Sequence, residues 1–148
     1  MVKSIYLDVC TLSRPFDDQK YLRIRLETDA VNLILLHIKT GEYRFLYSPV
    51  HTKEIANIKN LVERIDIQIL LNTFGDCIKI DFEKTRRRAE KLSQLGFGLA
   101  DAAHVAFSEG IGAEFISCDD KLIKKCEKYK IGVWCGNPIT FCIKENLR

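Results

Sequence analysis

Four acidic residues of this 148-residue chain stand where carboxylates from distant segments can meet. Asp8 and Asp119 each follow a short apolar segment, and Glu54 and Asp101 come early in segments with a helical pattern. Converging carboxylates repel one another unless a cation lies between them, and hard oxygen ligands suit Mg²⁺ or Mn²⁺. Such a site can activate a water for phosphodiester hydrolysis. The four acids therefore indicate a magnesium- or manganese-dependent hydrolase.

Two of these acids also have a simpler interpretation. An aspartate at the position of Asp119 can cap the start of a helix, and the helix dipole favours an acid such as Asp101 in a first turn. The metal-site interpretation therefore depends on the four acids together.

The elements that would position these acids alternate between strand and helix. We expect strands at residues 4–8, 43–47, 76–80, 114–117 and 131–134. Helices are expected at residues 21–39, 61–74, 82–95, 99–109 and 119–129, with others beginning at Ser48-Pro49 and Asn137-Pro138, and residues 9–20 are expected to form a loop. The alternation predicts one domain, residues 1–148, as a three-layer α/β/α sandwich with a central, mainly parallel sheet of about five strands.

Parallel strands joined by right-handed crossovers have all their carboxyl ends at one sheet edge, where ligands bind. That edge would bring Asp8 and Asp119 together. The first long helix should bury one face built from residues at i, i+4 spacing, namely Leu22, Leu26, Ala30, Ile34 and Ile38.

Composition excludes several classes of protein. The net charge of +3 is too balanced to indicate a nucleic-acid binder by itself. No apolar segment approaches the roughly 20 residues of a membrane helix, and Asp8 interrupts the short apolar start, so we expect no membrane span and no signal peptide. The six cysteines form no CxxC pair, which favours reduced thiols in a cytoplasmic protein over a zinc site.

Five segments in order resemble the PIN-domain family, the fold of VapC-like toxins and other metal-dependent ribonucleases. The resemblance runs from about Ile5 to Pro138 and implies that Asp8, Glu54, Asp101 and Asp119 bind Mg²⁺ or Mn²⁺ and cleave single-stranded or structured RNA. It also implies a possible antitoxin partner and a possible homodimer. The matching segments are residues 6–12 (YLDVCTL), 14–18 (RPFDD), 48–55 (SPVHTKEI), 98–106 (GLADAAHVA) and 116–122 (ISCDDKL).

The match has one departure and one informative agreement. The first family motif often reads Asp-x-Asn, whereas this chain has Cys10 two residues after Asp8. The fourth motif usually has Ser or Thr two residues before its acid. Ser117 fits that pattern, which selects Asp119 over Asp120 as the site acid.

Other residues could support the acids or bind substrate. Arg14 could bind a phosphate or pair with Asp17 or Asp18. Ser117, Lys121 and Lys124 are further candidates for substrate binding, although a lysine-rich helix face is often simply solvated. Thr11, His104 and Asp120 are expected around the acids, and His104 could equally be a packing residue among alanines.

Two other functions remain open. A PIN-like module could bind nucleic acid or protein without catalysis. The start Asp8-Val9-Cys10-Thr11 also resembles the haloacid-dehalogenase phosphatases, in which the first aspartate is a phosphorylated nucleophile, although Cys10 stands where that pattern needs a second aspartate.

Overall fold

The computed structural model describes residues 2–148 and contains one five-stranded sheet. All neighbouring strands are parallel, and their order is β3-β2-β1-β4-β5. The strands are β1 (Lys3–Leu7), β2 (Tyr43–Tyr47), β3 (Gly75–Cys77), β4 (Glu114–Ile116) and β5 (Cys135–Gly136).

Within the described residues, eight α-helices connect and cover these strands. They are α1 (Val9–Ser13), α2 (Leu22–Lys39), α3 (Pro49–Ala56), α4 (Leu61–Phe74), α5 (Phe82–Gln94), α6 (Leu99–Ile111), α7 (Asp120–Lys128) and α8 (Pro138–Lys144). Among residues 2–148, no helix is long and apolar enough to cross a membrane.

Side chains of the central strand alternate between two apolar cores, because successive residues of a strand point to opposite faces. Ile5 and Leu7 join helices α2, α3, α4 and α8 on one face, whereas Tyr6 joins α5, α6 and α7 on the other. Phe115 and Ile116 divide in the same way. The structure confirms the three-layer α/β/α sandwich with a parallel central sheet.

The segment expected as a loop after Asp8 is partly helical. Asp8 has an extended backbone, and its side chain accepts a hydrogen bond from the Thr11 amide, so it begins the short helix α1. A 3₁₀ turn, Arg14–Phe16, follows directly. The prediction was wrong here because an aspartate followed by a helix resembles a turn in sequence.

The first turns of α2 do not bury the face predicted from the leucine spacing. Leu22 and Leu26 are exposed, and Glu27 is buried instead. A row at i, i+4 drifts around the helix by about 40° per step, so one end of a long row leaves the core. From Ala30 onward, the predicted and observed faces agree.

Both outer strands differ from their predicted bounds. β3 covers residues 75–77 because its neighbour β2 ends at Tyr47, before Ser48 caps α3, so no longer ladder is available. β5 begins at Cys135, and residues 131–134 are not a strand. In that segment the Ile131 amide still bonds to the Cys126 carbonyl at the end of α7.

Candidate acidic site

The central strand pair places two acids side by side at the carboxyl edge of the sheet. Leu7 of β1 pairs with Ile116 of β4, and strand order reverses at β1. Ligands of open α/β sheets bind at such a reversal point. Asp8 immediately follows β1, and Asp119 lies three residues beyond β4.

Asp8 is buried, with 3% of its surface exposed, and its position is fixed by four donors. Its Oδ1 accepts hydrogen bonds from the Thr11 amide at 3.2 Å, the Thr11 hydroxyl at 2.6 Å and the Cys10 thiol at 3.2 Å. Its Oδ2 accepts a bond from the Ser117 hydroxyl at 2.6 Å. These bonds compensate for burying a carboxylate and leave it little freedom to rotate.

Ser117 connects the two acids. Its hydroxyl donates to Asp8 and accepts a hydrogen bond from the Asp119 amide at 3.1 Å. Asp119 in turn caps α7, since its Oδ1 accepts bonds from the amides of Lys121 and Leu122. The simpler interpretation of Asp119 as a helix cap is therefore correct, and it applies together with the placement of Asp119 beside Asp8.

The other two acids, Asp101 and Glu54, lie close enough to Asp8 and Asp119 to interact electrostatically with them. Burial raises the pKa of Asp101, and the negative charges of Asp8, Asp119 and Glu54 raise it further, whereas His104 acts in the opposite direction. Asp101 stands in the first turn of α6 and is half-buried. The structure thus brings all four predicted acids into one electrostatic neighbourhood.

Glu54 belongs to a polar chain that sequence analysis predicted only in part. Its carboxylate contacts His104 Nε2, and His104 Nδ1 lies 2.5 Å from the Tyr6 hydroxyl. The Tyr6 hydroxyl is also 2.8 Å from Ser48 Oγ. Tyr6 and Ser48 were missed, because a tyrosine between Ile5 and Leu7 resembles an ordinary core residue.

Arg14 and Asp120 are both engaged in ion pairs. Arg14 contacts Asp17 at 3.0 Å and Glu27 at 3.3 Å, so the structure shows the ion pair that sequence analysis left open. Asp120 is exposed and pairs with Arg23 at 2.5 Å. Buried Glu27 was not predicted, and its neighbours in sequence give no sign that it is buried.

The lysines of α7 lie on the helix that Asp119 begins. Lys121 and Lys124 are exposed. Lys125 instead donates to the Gly96 carbonyl at 2.7 Å, in the turn that precedes α6. Two of the predicted lysines are thus available for an anionic partner, and their roles stay predictions.

The donor set fits Mg²⁺ or Mn²⁺ in its chemistry, although its side chains are not already gathered around one point. Within residues 2–148, no group of three or more histidine, cysteine, aspartate or glutamate side chains is arranged to hold a metal ion. Glu54 is turned to His104, and Asp8 and Asp119 accept hydrogen bonds. The excess negative charge that raises the Asp101 pKa is what a cation would neutralise, and Mg²⁺ commonly binds through one or two carboxylates and several waters.

Comparison with known proteins gives structural matches. No family model and no curated protein matches the sequence significantly. FitAcB from Neisseria gonorrhoeae superposes with a TM-score of 0.55 at 14% identity, covering 90% of this chain and 97% of the other. FitAB bound to an IR36 DNA fragment has a TM-score of 0.55 at 15% identity, covering 91% and 95%.

A third structure, PAE2754 from Pyrobaculum aerophilum, has a TM-score of 0.56 at 14% identity and covers 97% of both chains. At such identities these matches establish the fold. Together with the five-stranded parallel sheet and the acids at its carboxyl edge, they show that the chain has the fold of PIN-domain proteins.

Proposed function

We propose that the chain is a metal-dependent endoribonuclease that hydrolyses RNA phosphodiester bonds at the acidic edge of its sheet. The observation that carries this proposal is the placement of Asp8 and Asp119 where strand order reverses, with the Ser117 hydroxyl bonded to the Asp8 carboxylate and to the Asp119 backbone amide. Acids gathered at one sheet edge repel one another unless a cation lies between them.

Asp8, Glu54, Asp101 and Asp119 would hold one or two Mg²⁺ or Mn²⁺ ions. The chemistry that such a cation supplies when bound is activation of a water and neutralisation of charge on the phosphate. Thr11 and Ser117 keep Asp8 in one orientation. The exposed lysines of α7 add positive charge for the phosphate backbone.

The partners are part of the proposal, and the fold is what supports it. One protein with this fold is FitAB bound to a DNA fragment. For this chain we propose single-stranded or structured RNA as the substrate and an antitoxin protein as a regulator, acting on a monomer or homodimer in the cytoplasm.

The test is cleavage of labelled single-stranded and hairpin RNA in Mg²⁺, Mn²⁺ or EDTA. We expect cleavage in either metal and none in EDTA. Asp101→Asn should lower the rate at least about a hundredfold, because it removes a carboxylate from the site without removing a helix cap. Asp8→Asn should do the same, and Asp29→Asn, on an exposed position of α2, is the matched control.

Three results would contradict the proposal. Cleavage that survives EDTA or both site substitutions would exclude this mechanism. RNA binding without cleavage, unchanged by Asp101→Asn, would favour the binding module. A phosphoaspartate trapped on Asp8 would favour the phosphatase.

A further inference from the structure

We propose that Tyr6 and His104 are positioning residues that hold the Glu54 carboxylate in one orientation through its Oε1, from which it can join the other site acids in binding a metal ion. This inference rests on the proposed function and deepens it. Glu54 is the one site acid that contacts an imidazole, and the imidazole is connected to a buried hydroxyl chain reaching from α6 to the start of α3.

The hydrogen bonds of this chain are consistent with donation that runs from Ser48 towards Glu54. The Val50 amide donates to Ser48 Oγ, which leaves the Ser48 hydroxyl free to donate to the Tyr6 oxygen. With the Ser48 hydroxyl donating to its oxygen, the Tyr6 hydroxyl donates a hydrogen bond to His104 Nδ1. His104 Nε2–H is then directed at Glu54.

Because the chain is buried, each of its hydrogen-bonding groups depends on its neighbour in the chain. Tyr6 and Ser48 are fully buried, and His104 is 2% exposed, so water cannot replace a missing partner. Glu54 is 37% exposed and on its own would sample several side-chain rotamers. The contact with the buried chain therefore restricts the rotamers of the partly exposed Glu54 carboxylate.

A second histidine packs beside the chain without entering it. The ring centroid of His51 lies 4.9 Å from that of His104 and 4.8 Å from that of Tyr6. Its Nδ1 accepts a bond from the Ser48 amide, and its Nε2 donates to the Leu7 carbonyl at 2.6 Å. Both nitrogens are thus committed to the backbone, and burial lowers the pKa of His51 to about 3, which keeps the ring neutral.

The experiment measures Mn²⁺ binding to the protein alone, from the loss of the free-ion signal in electron paramagnetic resonance. His104→Gln keeps an N–H donor near the position of Nε2, whereas His104→Asn places its amide near Nδ1 and loses the contact with Glu54. We expect Mn²⁺ affinity to fall about tenfold in His104→Asn and by less than about threefold in His104→Gln.

Tyr6→Phe removes only the hydroxyl and should also weaken Mn²⁺ binding, by about three- to tenfold, because the imidazole loses the bond that fixes its ring. The matched control is Ser108→Ala. Ser108 is a fully buried residue of the same helix and donates to the Ala113 carbonyl, at the far end of α6 from Asp101. Its loss should lower thermal stability while leaving Mn²⁺ affinity unchanged.

Glu54→Gln separates the possible outcomes. If it weakens Mn²⁺ binding while His104→Asn and Tyr6→Phe do not, the positioning role is wrong and the acidic metal site stands. Equal losses in His104→Gln and His104→Asn would likewise overturn the inference, because a packing role does not distinguish the two amides. A native protein that binds no Mn²⁺ would contradict both the site and the positioning role.

Discussion

At the scale of single residues, structural and chemical roles coincide in the same side chains. Asp8 caps α1 and stands at the site, and Asp119 caps α7 and stands beside it. Asp101 is the exception, because it caps no helix, and burial and the neighbouring acids disfavour its charged form and raise its pKa. An acid kept at a cost to stability is typical of a functional position.

Replacing Asp101 is therefore expected to increase the stability of the folded protein by an amount that depends on pH. A carboxyl whose pKa is raised above its ordinary value of 3.8 binds its proton more tightly in the folded state, so stability falls as pH rises through that range. In EDTA at pH 7, Asp101→Asn should be more stable than the native protein and should have a higher Tm.

Thermal unfolding in EDTA at several pH values measures the difference. It should shrink as the pH is lowered towards 4, and added Mg²⁺ should stabilise the native protein more than the variant. A variant less stable than the native protein at pH 7 would show that Asp101 makes a favourable contact that outweighs repulsion by the other acids.

At the scale of elements, one buried carboxylate connects three segments. Glu27 of α2 is 1% exposed and lies 3.3 Å from Arg14, in the turn after α1, and 3.6 Å from Arg23. Arg23 also reaches Asp120 at the start of α7. Both segments that follow the site acids are therefore tied to α2 by charge.

Replacing this carboxylate should destabilise the protein, because the half-buried Arg14 would lose one of its two counter-charges. We expect Glu27→Gln to lower the free energy of unfolding by about 3 kcal/mol in urea titrations at pH 7. Asp29→Asn, two residues along the same helix and exposed, should change it by less than about 0.5 kcal/mol.

The double variant Glu27→Gln with Arg14→Gln tests the assignment of partners. If the two groups stabilise each other, the double variant should be more stable than the sum of the two single losses implies. Additive losses would mean that Glu27 depends mainly on Arg23.

At the scale of the whole molecule, the central sheet separates two apolar cores. Ile34 of α2 belongs to one core, and Ile78, just after β3, belongs to the other. The shared sheet predicts that the cores unfold together, as one domain.

Two matched substitutions test this cooperativity. Ile34→Val and Ile78→Val should each cost about 0.5–1.5 kcal/mol, and their effects should add within about 0.5 kcal/mol, because the two side chains lie on opposite faces. For each variant, the urea midpoint measured by fluorescence should equal the one measured by circular dichroism. Separate transitions by the two probes would contradict a single cooperative domain.

The sequence by itself determined the alternation of strands and helices, the parallel sheet and the placement of Asp8 and Asp119 at its carboxyl edge. These features follow from local apolar patterns and from the right-handed crossovers that connect parallel strands. They can therefore be predicted without knowing any contact between distant residues. The bounds of β3 and β5 could not be predicted, because the length of an outer strand is set by its neighbour.

Only the tertiary structure decided which side chains surround the acids. Tyr6 meets His104 across 98 residues of sequence, and Ser117 meets Asp8 across 109. Glu27 is buried because an arginine from another segment pairs with it. These contacts depend on where individual side chains point after the layers have packed. The periodicity of the sequence does not predict those directions.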